Sequence, residues 1–469
     1  MKNRKFSNFY LIIFFVLFFL VFASSIQAKT YYISPDGSDD NSGTKESPWA
    51  TPGYASRQLN KGDDLIILGG TYYLNQYDDD IIMPSSGKKK NWTIIKGEKG
   101  NRPVLAGGDN LMTAIDISGK KYIKLKNIEI TNNNGENFRE GISGAGEPMN
   151  NIKIENLYIH HIDEFGIDLQ DINHLLIKNT KIKYTGFGAI GSPAGEHGGW
   201  KNVTIRNSRL SYSGHYYQGE NKIGPYDRPD GFGIEDSEGP IYIIKTYANH
   251  NKGDGLDSKA KNTFINKCIV ANNYADGVKL WHGDSEIRNT LIYGRGDGNT
   301  ITSPWSPIVI GSDNANDIFK IKNVTVDDAV GNNYVIHVQY DDPNTPITLV
   351  MKNNIFSSRG ANNSPVYIGS AVNAKIKNNL FYLPNSDRIL DYGSNSYTSN
   401  QIDNFGKNNI YGNPLFKQTA FGSKGNYYLK KNSPAIDKGM RKGAPKHDIR
   451  SKKRPKGKQV DIGAYERIK

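Results

Sequence analysis

Beyond its first 28 residues the chain carries no long stretch with the three-to-four apolar spacing of a helix. What recurs is a short alternation of apolar and polar residues around a polar pair, most often Lys-Asn. KYIKLKNIEIT begins at 121, NIKIENLYIHH at 151, HLLIKNTKIKY at 174, NVTIRNSRLSY at 202, NTFINKCIVAN at 262, FKIKNVTVDD at 319 and TLVMKNNIFSS at 348. Each predicts a short strand, a polar corner and a second short strand. Asn127, Asn156, Asn179, Asn207, Asn289, Asn323 and Asn378 stand at the corners, and asparagine tolerates left-handed backbone angles. If the corners stack, their amides would bond to one another as a ladder.

A second phrase falls half a turn away: EFGIDLQ, GFGAIGS, DGFGIED, DGLDSKA, DGVKLWH and DGNTITS, with glycines Gly166, Gly188, Gly231, Gly255, Gly277 and Gly298. Successive gaps are 22, 43, 24, 22 and 21 residues, the 43 reading as two turns or as one turn with an insertion around 214–229. A period near 22 built from three short strands predicts an all-β chain, a single-stranded right-handed parallel β-helix. One coil cannot bury its own apolar face, so the core must be a column of stacked side chains. At one strand spacing of about 4.8 Å per coil, the chain has room for roughly a dozen coils.

The ends divide the chain further. Lys2, Arg4 and Lys5 precede an apolar run over 9–22 that is short for a bilayer span, and small residues follow up to Ala28. Residues 1–28 therefore read as a secretory signal peptide, 29–430 as the β-helix and 431–469 as a basic C-terminal closing segment. The expected location is extracellular, with no stable membrane insertion after cleavage. The single cysteine, Cys268, excludes an intramolecular disulfide and lies in a strand pattern, as a small buried apolar residue would. Formal net charge is +12, and removing Lys2, Arg4 and Lys5 leaves +9, which favours a polyanionic partner. Export and the lack of a nucleic-acid motif exclude nucleic acid and leave an acidic polysaccharide. Many positive charges lie between 438 and 458, a composition that by itself reads as a solvated, partly flexible end. Nothing signals oligomerisation, so a monomer is expected.

Aligning the glycines places Asp230, Asp254 and Asp276 directly before them in three coils. Asp168, Gly233, Asp257 and Lys279 fall two residues after them. Residues at matching positions in successive coils sit about 5 Å apart on one face. Stacked carboxylates repel unless neutralised, and Ca²⁺ takes several carboxylate oxygens. Taken alone, an Asp-Gly pair is an ordinary turn; three in register with Asp257 point to a metal. Lys279, one coil above Asp257, reads either as its surface ion-pair partner or as a base whose proton is loosened by nearby positive charge. A cation beside such a base suits β-elimination on a uronate. Basic groups near the column, His250, Lys252, Arg288 and Arg295, with Tyr274 and His282, are candidates for gripping sugar carboxylates. Trp281, Tyr217 and Tyr226 are candidates for stacking on sugar rings.

DGFGIE, GDGLDSK and DGVKLW resemble, in order and spacing, the calcium and base motifs of polysaccharide lyase family 9, the β-helical pectate lyases. The opening YYISPDGSDDNSGTKESPWAT and the late NSPAIDKG and DIGAYE resemble the ends of secreted members of the pectate-lyase-like superfamily. The family resemblance implies a pectin-lyase-like fold, Asp230, Asp254 and Asp257 as calcium ligands and Lys279 as base. The family's cluster opens with two adjacent aspartates, where this chain has Gly253 and Asp254, and its tryptophan is Leu256 here. Asp276 is the candidate replacement ligand, and the glycan need not be plain pectate. Other readings on the same fold are a uronate epimerase, a glycoside hydrolase and a non-catalytic wall-binding protein.

Overall fold

The computed structural model describes residues 28–468 apart from 110, 136–137, 217–228, 300–305, 331–333, 340–341 and 361–364. The leader, Tyr217 and Tyr226 lie outside the described residues. Among the described residues no helix is long and apolar enough to cross a membrane.

The alternating runs form three long sheets of 13, 13 and 12 strands, parallel except for one terminal strand of the third, and from residue 93 to 392 each coil gives one strand to each sheet. One coil reads Met149–Glu155, Tyr158–Ile162, Phe165–Leu169, and the next Ile172–Lys178, Lys181–Thr185, Gly188–Ser192. The chain is thus a single-stranded parallel β-helix. Inward positions stack in register: Ile154, Ile177, Ile205, Ile243, Ile265 and Ile287 pair in succession along the first sheet. All six are buried, and each contributes about 1.5–3 kcal/mol of burial. Cys268 lies in the same core.

Each corner asparagine named above adopts a positive φ, between 45° and 59°. Their amides form partial ladders, Asn156 to Asn127 at 3.0 Å and Asn353 to Asn323 at 3.3 Å. A second, buried ladder runs Asn354, Asn379, Asn409, with bonds of 2.9 and 3.1 Å.

The helix Pro52–Gln58 packs on strands Thr30–Ile33 and Asp64–Ile67 at the N-terminal end, burying Ala55 and Ser56. At the other end Leu390–Tyr392 pairs antiparallel with Asn395–Tyr397. The basic C-terminal residues do not behave as a solvated, flexible end. They run back along the coils and cover the asparagine corner: Asn323 donates to Asp461 O, Asn353 to Met440 O and Asn378 to Lys438 O. Arg454 and Glu466 form a 3.0 Å ion pair with both side chains fully buried. The lysine count hid this because the lysines face water while a few arginines and carboxylates anchor the segment.

Candidate functional site

The third sheet carries a four-residue phrase in each coil: an outward residue, a small one, an apolar one and a second outward residue. At the second position a Cβ on Gly255 would come within 2.3 Å of Val270 Cγ1 and 2.7 Å of Gly277 O. The tight inner bend therefore turns both flanking residues outward. The strand register puts Asp168, Gly191, Gly233, Asp257 and Lys279 in one column. Beside it stand Phe165, Gly188, Asp230, Asp254 and Asp276. Two glycines of the repeat are displaced from their expected places. Gly188 pairs with Phe165, so Ala189 holds the small position. Val278 pairs with Ile308, so Pro307 rather than Gly298 matches Gly277. The 43-residue gap is one coil with an insertion, since Ile190 pairs directly with Phe232.

The aspartates before the glycines share one construction. Asp254 N–H donates to Asp230 Oδ1 at 2.6 Å, Asp276 N–H to Asp254 Oδ1 at 2.8 Å and Ser306 N–H to Asp276 Oδ1 at 2.8 Å. One oxygen of each carboxylate thus ties two coils together. Asp230 directs Oδ2 over Gly233, where a Cβ would sit 2.8 Å from it. Lys279 Nζ donates to Asp257 Oδ2 at 2.8 Å and lies 3.7 Å from Asp254 Oδ2. All four aspartates are buried, and Asp257 Oδ1 has no hydrogen-bond partner.

Four buried carboxyls and one amine cannot all be charged cheaply. Burial, then the charges of Asp254 and Asp257, push Asp230 well up. Burial and Asp254 do the same to Asp276. Burial raises Asp257 too, against the opposing pull of Lys279. For Lys279, burial works toward a lower pKa, but Asp257 and Asp254 outweigh it and hold the amine above its ordinary value. The expectation of a loosened Lys279 proton is therefore not met with the charges present here: the ion pair keeps it protonated.

One oxygen from each of Asp230, Asp254 and Asp257 lies within 4.8 Å of the others. Hard oxygen donors, an orphaned buried Asp257 oxygen and excess negative charge together fit a calcium ion. Asp276 lies outside that group; its Oδ1 accepts from Ser306 N–H, as Asp254 Oδ1 does from Asp276 N–H. Gly253, in place of a family aspartate, donates its N–H to Pro229 O at 2.9 Å.

The other candidates divide. Trp281 sits two residues beyond Lys279, its ring over Gly311 and its Nε1 3.1 Å from Asp313. His250 stacks on Tyr212, at 5.1 Å between centroids, and bonds Asp297 at 2.8 Å. Lys252 lies on the bend leading to Asp254, its N–H on Ser213 O. Tyr274 likewise anchors its bend, N–H to Asn251 O, and His282 pairs with Asp236 at 3.2 Å. Arg295 is buried against Asp328 at 2.7 Å. Arg288 stands on the first sheet beside Asn266 and Lys322, away from the column. Sequence reasoning passed over Phe165, Phe187 and Glu140. A cleft runs from Asp257 and Asp230 past Gly233 and Gly191 to Asp168, walled by Phe165 and Phe187. The signal for it was the repeat itself, which puts Phe165 where later coils carry aspartate.

The coil geometry defines a protein of the parallel β-helix class, with a carboxylate–lysine column on its third sheet. Residues 31–299 match the family model "Pel9A-like, right handed beta helix region", and the chain belongs to that family. Among solved structures it resembles pectate lyase Pel9A, 17% identical with a TM-score of 0.57, over 95% of this chain and 98% of that one. It also resembles XylC in its complex with xylose, 11% identical with a TM-score of 0.64, over 94% and 98%. The A-module of the Azotobacter vinelandii mannuronan C-5 epimerase AlgE4 follows at 14% and 0.51, over 81% and 97%. These likenesses show the shared fold. A curated relative, the uncharacterized protein YwoF of Bacillus subtilis (strain 168), is 48% identical over 42 residues, 9% of each chain.

Proposed function

We propose that the protein is an exported, calcium-dependent polysaccharide lyase that cleaves a uronate-containing glycan by β-elimination. The observation that carries this reading is Lys279, one coil above Asp257 and 2.8 Å from it, at the edge of the buried Asp230–Asp254–Asp257 cluster. Those three carboxylates would hold the ion. A bound calcium would neutralise the uronate carboxylate, and its charge would offset the carboxylates that keep Lys279 protonated.

Lys279, as the free amine, takes the proton from C5, which lies α to the carboxylate. The C5–H electron pair forms the C4=C5 double bond, the C4–O glycosidic bond breaks, and the leaving oxygen takes up a proton. No water attacks, so no second catalytic carboxylate is needed. The membership of a Pel9A-like family and the fold shared with a pectate lyase support the reading. An acidic polysaccharide outside the cell is the substrate, and a monomer suffices because every proposed group comes from one chain.

The test is ultraviolet absorbance of the conjugated product, with polygalacturonate and other acidic glycans, in calcium and in chelator. Calcium-dependent absorbance that disappears in Lys279→Ala is expected. Inverted uronate without chain cleavage would instead identify an epimerase, and new reducing ends without absorbance a hydrolase.

A further inference from the structure

The far end of the cleft differs chemically from the end at Lys279. Phe165 occupies the column position that Asp230, Asp254 and Asp276 hold in later coils, and its ring lies against two glycines. A Cβ on Gly188 or Gly191 would come within 2.8 or 2.7 Å of its ring carbons. Phe187 meets it edge-on, with centroids 5.8 Å apart. Both rings are only half-buried, on a face whose other outward residues are largely charged. With Gly191 and Gly233 as floor, the cleft offers a flat apolar wall beside open space. An aromatic face of this kind suits the C–H face of a sugar ring.

The polar groups at this end are acidic. Asp168 closes the cleft, and Glu140 lies beside it, one coil earlier. Burial, with the neighbouring Asp168 and Glu164, raises Glu140 to about 8, and burial raises Asp168 to about 6. At neutral pH this pair holds a proton, so it offers a hydroxyl both a donor and an acceptor. The nearby cations are committed: Lys259 to Glu235 at 2.5 Å, and Arg139 to Glu164 at 2.5 Å. A sugar carboxylate here would meet Asp168 and Glu140, and the cation lining the cleft, Lys259, already faces Glu235, whereas a neutral ring meets no like charge.

We propose that the cleft section floored by Gly191 and Gly233 and walled by Phe165 is a subsite for an uncharged sugar residue of the glycan being cut. The proposal rests on the lyase reading above. Gly191 stands two coils from Asp257, about 10 Å along the helix, so this residue is not the uronate that reacts but one further along the chain. The substrate class is then a glycan that places a neutral sugar near its uronate, rather than an unbroken run of uronates.

Binding without turnover tests this. Oligosaccharides of polygalacturonate and of alginate, each with its carboxyl-reduced neutral counterpart, are titrated calorimetrically into wild type, Phe165→Ala and Phe165→Leu in chelator. The expected result is binding of at least one reduced oligosaccharide, weakened about five- to ten-fold in both variants. The leucine variant keeps the apolar packing, so a loss shared by both reports the ring rather than the fold. Tighter binding of every acidic form, unchanged affinity in folded variants, or no binding by any reduced form would overturn the subsite. Absence of cleavage in the calcium assay would refute the lyase reading and leave this titration standing.

Discussion

Replacing Gly233 by alanine separates the carboxylate cluster from the fold. The glycine has no positive φ, so alanine adopts the same backbone, and its smaller unfolded-state entropy is worth about 0.4–1 kcal/mol in favour of folding. The new Cβ meets one mobile atom: Asp230 Oδ2 at 2.8 Å, with other atoms of the same side chain next at 3.5 and 3.6 Å. Ordinary contact begins at 3.4 Å, so the oxygen must move by 3.4 minus 2.8, or 0.6 Å. Calcium–oxygen distances span roughly 2.3–2.6 Å, and metal sites hold ligands within about 0.2 Å. The shift therefore removes Asp230 from the ligand set. Outer-shell partners alone cost roughly 10–100-fold in affinity, so loss of a direct ligand is expected to cost at least ten-fold. Calorimetric calcium titration reads the affinity, and thermal melting in chelator reads the fold, which should hold or gain slightly. Unchanged calcium affinity in a folded variant would refute Asp230 as a ligand. A lower melting temperature in chelator would show that Gly233 serves the backbone rather than the site.

Three further outcomes follow from the same geometry. Glu466→Gln leaves Arg454 as a fully buried charge without its carboxylate partner, so denaturant unfolding should show a loss of about 3–5 kcal/mol; a loss below 1 kcal/mol would mean the C-terminal segment is not anchored by this pair. Glu140 is raised from 4.5 to about 8 by burial first, then by Asp168 and Glu164, with Arg139 opposing. Its neutral form is the one the fold tolerates, so its contribution to stability is complete below pH 4.5 and is lost as pH rises through about 8. The melting temperature of Glu140→Gln should accordingly fall less than that of wild type between pH 5 and 8.5, and parallel curves would contradict the assignment. Ile243→Ala opens a void in the isoleucine column and should cost about 2–5 kcal/mol in denaturant melts; a cost under 1 kcal/mol would mean the column does not carry the core.

The coil was legible because its signals are local. Alternation fixed which residues face inward, and the corner asparagines marked turns that do adopt positive φ. The Asp-Gly phrases placed Asp230, Asp254, Asp257 and Lys279 in their true register, since one residue of slip would send every side chain to the other face. The same device failed where the small residue is not glycine. Ala189 and Pro307 fill the inner position, so the glycines at 188 and 298 attracted the alignment away from it. Arg288 and Arg295 were near the column in sequence only; a coil spends its residues on three sheets, and these two belong to another sheet and to a buried ion pair. The protonation of Lys279 could not be read from spacing, because it depends on how near Asp257 and Asp254 lie compared with how deeply the amine is buried. The C-terminal segment escaped for a related reason: its anchors are contacts with residues far earlier in the chain, 60 positions for Asn378 with Lys438 and 138 for Asn323 with Asp461.

The most direct test of the central claim compares wild type with Lys279→Ala on acidic glycans, following ultraviolet absorbance of the unsaturated product in calcium and in chelator. The account predicts absorbance that requires calcium and falls by roughly 10²–10⁴-fold without the amine, while the variant, folded in calcium, still binds the glycan. Product formed equally by the folded variant would contradict it and return Lys279 to an ion-pair partner of Asp257.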